Sequence, residues 1–144
     1  MSAFSNEMEG YIVAHFLQGT AQAVLGGDAS SSTKLYLGLF EGVGPGETGY
    51  SNETNYGASG QTYLRQHITF GNIDANGNTS NGDIITFPAN PDATSVTIRH
   101  AAVYTTPGRN TGVQVLHGEL VAAKTLDQND VLSFGVGALV LNIN

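Results

Sequence analysis

Four histidines are the first residues in this chain whose chemistry could matter: His15, His67, His100 and His117. An imidazole can carry a proton near neutral pH or hold a metal. None of the four belongs to a His-x-His or His-x-x-x-His pair. Only tertiary contacts could bring them together, so no metal site is expected. Asp74, Asn76 and Asn78 offer oxygens at alternate positions, as the start of a calcium loop does. The pattern then fails, because Thr79 and Ile85 stand where the loop needs its Gly and its bidentate Glu. An Asx-rich turn is the expectation there.

The glycine-rich run Gly42-Val43-Gly44-Pro45-Gly46 places Glu47 where a dinucleotide loop needs its third glycine, and no helix pattern follows. No glycine-rich phosphate loop ends in Lys-Ser or Lys-Thr, and no Ser stands in a Gly-x-Ser-x-Gly elbow. The only acids at strand edges are Glu41 and Glu119, so carboxylates for paired acid–base work would have to come from turns. With no cysteine there is no thiolate nucleophile, disulfide or Cys-ligated zinc. The expectation is a chain with no catalytic centre, no cofactor and no metal.

The composition says what kind of scaffold carries these residues. Charged side chains make up 12% of the 144 residues, about half the roughly 25% usual in globular domains. Nineteen glycines and many Ser, Thr and Asn take their place, the mixture of short strands joined by turns. The net charge is −7, and the five basic residues are scattered, so no phosphate-binding patch exists and no nucleic-acid partner is expected. No apolar run reaches the length of a membrane span and no basic-then-apolar leader opens the chain, so neither membrane partner nor signal peptide is expected.

The elements follow from periodicity. Asn6 with Glu9 resembles a capping box, and Met8, Ile12 and Phe16 recur at helical spacing, which predicts one amphipathic helix over residues 6–18. It either closes one end of the core or serves as an arm docking on a neighbouring protein. From Lys34 onward the pattern is β. Strands are expected at 34–40, 62–70, 84–87, 95–104, 113–120, 131–134 and 138–143. Leu35, Leu37 and Leu39 should share one face; so should Leu64, Ile68 and Phe70; and so should Val96, Ile98, His100, Ala102 and Tyr104. Asn76-Gly77 and Asn81-Gly82 are hairpin signals, and 107–110 and 127–130 read as turns. The prediction is a mainly β fold: an antiparallel β-sandwich with jelly-roll or Greek-key connections and one N-terminal helix. It divides into a helical arm, 1–27, and a sandwich, 28–144. Residues 41–61 form a loop long enough to be functional or mobile.

The order of segments resembles the small β-sandwich virion proteins of tailed bacteriophages, described as head-decoration or tail-fibre-like. The likeness rests on the helix 11–18 leading to KLYLGLF (34–40), then YLRQHITF (63–70), NGDIITFPA (81–89), VTIRHAAVY (96–104), VLHGELVAAKTL (115–126) and DVLSFGVGALVL (130–141). It implies a virion structural protein without enzymatic activity. The leading expectation is a capsid decoration, or cement, protein on the outside of the head. The alternatives are a tail-fibre or baseplate component and, from another class, a carbohydrate-binding module. Implied partners are the major capsid protein or other virion proteins, with the chain itself a homo-oligomer. The candidate interface combines the helix face Met8, Tyr11, Ile12 and Phe16 with the tyrosines in or beside the long loop, Tyr50, Tyr56 and Tyr63. Those tyrosines either meet a partner or pack down on the sheet.

Overall fold

A computed structural model describes residues 3–4, 6–18, 34–42, 44, 50–57 and 63–141. A five-stranded antiparallel sheet has the order β1 (Ala3–Phe4), β7 (Gln114–Leu126), β6 (Val96–Tyr104), β2 (Leu35–Glu41), β3 (Gln66–Ile68). Helix α1 (Asn6–Gln18) covers the predicted span and packs against β7. Two ribbons complete the fold: β4 (Thr79–Ser80) with β9 (Val140–Leu141), and β5 (Ile85–Thr86) with β8 (Ser133–Phe134). The chain is mainly β with antiparallel pairing throughout, as the alternation of its residues requires.

The main core lies between the large sheet and the β5–β8 side. Leu35, Leu37 and Leu39 share the predicted face and meet Ile85, Phe87, Leu132 and Phe134. Met8 enters this core from the helix, with Ile12 packed against it, which anchors α1 to the sheet. β2 is buried on its other face as well. Phe40, Ala102 and Tyr104 form a second small cluster there, beneath Tyr50. A strand covered on both sides cannot show clean alternation, and β2 is accordingly apolar at nearly every position.

Two predicted faces are overturned. β6 does not keep Val96, Ile98, His100, Ala102 and Tyr104 together. The ladder to β7 slips between Ile98 and His100, and that irregularity shifts the side-chain phase by one. Ile98 therefore joins Ala101 and Val103 in the main core, while Ala102 and Tyr104 face the second cluster. Leu64 was expected inward and is 55% exposed. Regular pairing begins only at Gln66, and the flanking Tyr63 and Arg65 take the buried positions instead.

The turns divide in the same way. Asp74 accepts from the amides of Asn76 and Asn78, and Gly77 takes the left-handed φ of +82° that closes the turn. Asn81-Gly82 is not a hairpin tip. Asn81 is fully buried and acts as a staple: its Nδ2 donates to Gly135 O and Asp83 O, both 2.8 Å, and its Oδ1 accepts from Leu139 N at 2.9 Å. Asn90 does the same between Thr94, Leu126 and Asp92. Replacing Asn81 with Ala orphans those buried backbone groups and is expected to lower stability by about 1–3 kcal/mol, read from the urea midpoint at unchanged slope.

Candidate functional site

Charge inside this fold is concentrated at one place. Arg65, just before β3, and Glu53, in the segment after β2, form a two-pronged ion pair: Nε to Oε1 at 2.7 Å and Nη2 to Oε2 at 2.8 Å. Neither side chain has any exposed surface. Arg65 Nη1 is used as well, donating to the carbonyls of Thr106 and Thr111. The guanidinium lies 3.6 Å from the centre of the Tyr104 ring and 5.8 Å from that of Tyr50, so it is stacked as well as paired. Arg109 Nη2 donates to the Glu53 carbonyl at 2.9 Å.

The local sequence explains why the pair can sit against β2. A Cβ on Gly38 would stand 3.1 Å from Glu53 Oε1 and 3.4 Å from Arg65 Nε, so glycine leaves the space that the two charges fill. Glu53 is held along β2 by a bridge to Phe40, by Glu41 N donating to Asn52 O and by Thr54 N donating to Leu39 O. The second half of the long loop thus extends the sheet edge where β3 stops. The knot joins β2, that segment, the start of β3 and the turn after β6. Its two charges are matched to each other and withdrawn from solvent, as suits a fastening.

The sequence-predicted residues fall into three groups. Tyr56 and Tyr63 lie in the main core, edge to face with each other, and Tyr63 stacks on Phe87. Tyr63 OH accepts from Leu39 N at 2.8 Å and donates to Glu53 Oε1, while Tyr56 OH donates to Pro88 O. Tyr50 is half-buried, stacked on Tyr104, and donates to Gly112 O. Of the helix residues, Met8 is in the core and Ile12 packs beside it. Tyr11 and Phe16 lie on α1, with side chains outside the described residues. In the long loop, residues 43, 45–49 and 58–61 also lie outside them.

Sequence reasoning passed over Glu53 and Arg65. One signal was available: Arg65 is a lone cation inside an otherwise uncharged strand pattern, in a chain with only five basic residues. Such a charge is buried only when a partner is supplied.

The described histidines do not assemble a metal site. His67 is edge-on to Tyr36, and His100 shares a hydrogen bond with Gly42 O. Among the described residues, no three His, Asp or Glu side chains are placed to hold a metal. The Asp74 carboxyl is held below its ordinary range by the Asn78 amide first and the Asn76 amide second, so its oxygens already serve its own turn.

Burial pushes the Tyr56 phenol up to about 12, and it pushes Tyr63 and Tyr104 well above the ordinary tyrosine value of 10. The unfolded chain releases these protons from about pH 10, while the folded chain retains them. Their contribution is therefore complete below pH 10 and is lost as pH rises toward 12 and beyond. In an alkaline titration followed by phenolate absorbance, three of the six tyrosines are expected to ionise only together with unfolding.

The outer surface offers apolar side chains in small groups. Val13 and Leu17 are exposed on α1, and Val121 and Val140 are exposed beside a groove of about 290 Å³ between the large sheet and β9. A family model described as podophage GP4 fiber I protein gp80 matches residues 3–142, nearly the whole chain. No curated protein matches it.

Proposed function

The chain belongs to the podophage GP4 fiber I protein gp80 family, structural components of the virion and not enzymes, and from that premise we propose that it is a building block of a tail fibre. The observation that carries this reading is the family match across residues 3–142. It supports the tail-fibre assignment better than capsid decoration, the leading expectation from the sequence.

The geometry fits a load-bearing module. A fibre component must transmit force and bind its neighbours through its surface. The buried knot of Glu53 and Arg65 ties the loops to both sides of β2, which suits the first task. For the second, helix α1 serves as the attachment element. Met8 seats the helix on the sheet, while Val13 and Leu17, the latter 79% exposed, face outward toward other virion proteins.

The test is location on the particle. Antibody labelling of virions, with copy number from quantitative mass spectrometry, is expected to place the chain on the tail in few copies. Labelling spread over the head, at a copy number that scales with the capsid subunits, would overturn the tail-fibre assignment in favour of cement.

A further inference from the structure

The chain contains two Asn-Gly pairs, Asn76-Gly77 and Asn81-Gly82. An asparagine carboxamide can be attacked by the main-chain nitrogen that follows it. Glycine in that place leaves the nitrogen most open, because it has no Cβ to shield the atom or to restrict its approach. The fold treats the two pairs differently. Asn81 is sealed: it has no exposed surface, and both ends of its carboxamide are engaged, Nδ2 with Gly135 O and Asp83 O, and Oδ1 with Leu139 N. The attacking atom there, Gly82 N, donates to Thr69 O at 2.9 Å. Bringing Asn81 Cγ onto Gly82 N would break those bonds away from solvent, so the whole staple has to open first.

Asn76 instead stands exposed in the Asp74 turn. Asn76 N donates to Asp74 Oδ1 at 2.8 Å, and Gly77 N donates to the Asp74 carbonyl at 3.1 Å. Freeing Gly77 N therefore means giving up a hydrogen bond at the surface, where water can take its place. No heavy atom lies within 4 Å of the point a Cβ on Gly77 would occupy, so the surroundings of its nitrogen are open on that side.

We infer that Asn76 is a site of spontaneous modification in the folded chain, converted to an aspartyl or isoaspartyl residue by attack of Gly77 N, while Asn81 is protected. Gly77 N bonds to Asn76 Cγ as it gives up its proton, the Cγ–Nδ2 bond breaks, and Nδ2 leaves as ammonia. Water then adds to either carbonyl of the resulting succinimide and opens it to a carboxylate. Opening at the main-chain carbonyl routes the backbone through the former side chain, which inserts a methylene into the turn. Either product sets a new carboxylate close to that of Asp74, in a chain already at −7. Location on the virion plays no part in this chemistry, so the inference stands apart from the fibre assignment.

Ageing the purified protein in mildly alkaline buffer tests it. Peptide mass spectrometry follows the loss of each amide in the native protein and, in parallel, in the urea-unfolded chain. Referred to its own unfolded rate, Asn81 is expected to be slowed at least about tenfold more than Asn76. Isoaspartyl methyltransferase labelling of the aged native protein is expected to fall on the Asn76 peptide. Similar slowing of the two pairs, stronger slowing of Asn76, or an Asn76 that stays intact in the native protein each overturns the inference. Asn76→Gln gives a second readout. Its longer side chain would have to close a six-membered ring, so the acidic species that isoelectric focusing resolves in aged wild type is expected to fall about tenfold or more. Persistence of that species in Asn76→Gln at wild-type amount would trace it to another residue and overturn the assignment.

Discussion

Arg65→Met is expected to cost about 3–5 kcal/mol of stability, the loss typical of breaking a buried ion pair by removing one partner. The reason is what stays behind. The Glu53 carboxyl group is left in a site without solvent, with only Tyr63 OH and a long contact from Asn110 N at 3.5 Å. The carbonyls of Thr106 and Thr111 lose their donor at the same time. Urea unfolding of the wild type, Arg65→Met, Glu53→Leu and the double variant forms the cycle that measures this. The double variant is expected to be more stable than either single one, because it removes both charges. A loss for Arg65→Met inside the about 1 kcal/mol typical of exposed pairs would show that the knot does not hold the loops.

Phe87→Ala is expected to cost a similar amount, about 3–5 kcal/mol, through lost transfer energy and the cavity left behind. Phe87 is 1% exposed, and its ring lies parallel to Tyr63 with 6.1 Å between centres and edge to face with Phe134 at 6.4 Å. With Ile85, Leu132 and Phe134 it joins the β5–β8 side to the large sheet, so collapse around the hole is resisted from both layers. Phe87→Leu refills part of the volume and is expected to lose less. The chain has no tryptophan, so near-ultraviolet dichroism comes chiefly from tyrosine. That signal should weaken in Phe87→Ala as Tyr63 loses its stacking partner, even where the protein remains folded. An unchanged melting temperature would place the weight of the core elsewhere.

The two substitutions test different kinds of legibility. Phe87 was readable as the end of a short apolar strand stopped by Pro88, and its burial follows directly. Arg65 was readable only as an anomaly, because its partner lies twelve residues away in a glycine-rich stretch with no pattern of its own. Tyr56 and Tyr63 show the same limit. Their side-chain type suits a contact surface as well as a core, and the choice depends on whether something covers them. Here Phe87, Pro88 and Leu39 do.

What the sequence by itself determined was local. Helix α1 covers the span 6–18 that its periodicity marks, the Asp74 turn closes on its own amides, and the alternation of Leu35, Leu37 and Leu39 selects one face of β2. These depend on residues a few positions apart, whose geometry the chain cannot vary much. The tertiary structure alone decided the rest: the second buried face of β2, the phase shift at β6, Asn81 as a staple instead of a turn, and the meeting of Glu53 with Arg65. Each depends on a distant segment arriving to supply a hydrogen bond, a charge or a covering ring. A buried polar residue is tolerated only when that partner arrives, and a single strand carries no record of what will lie across it.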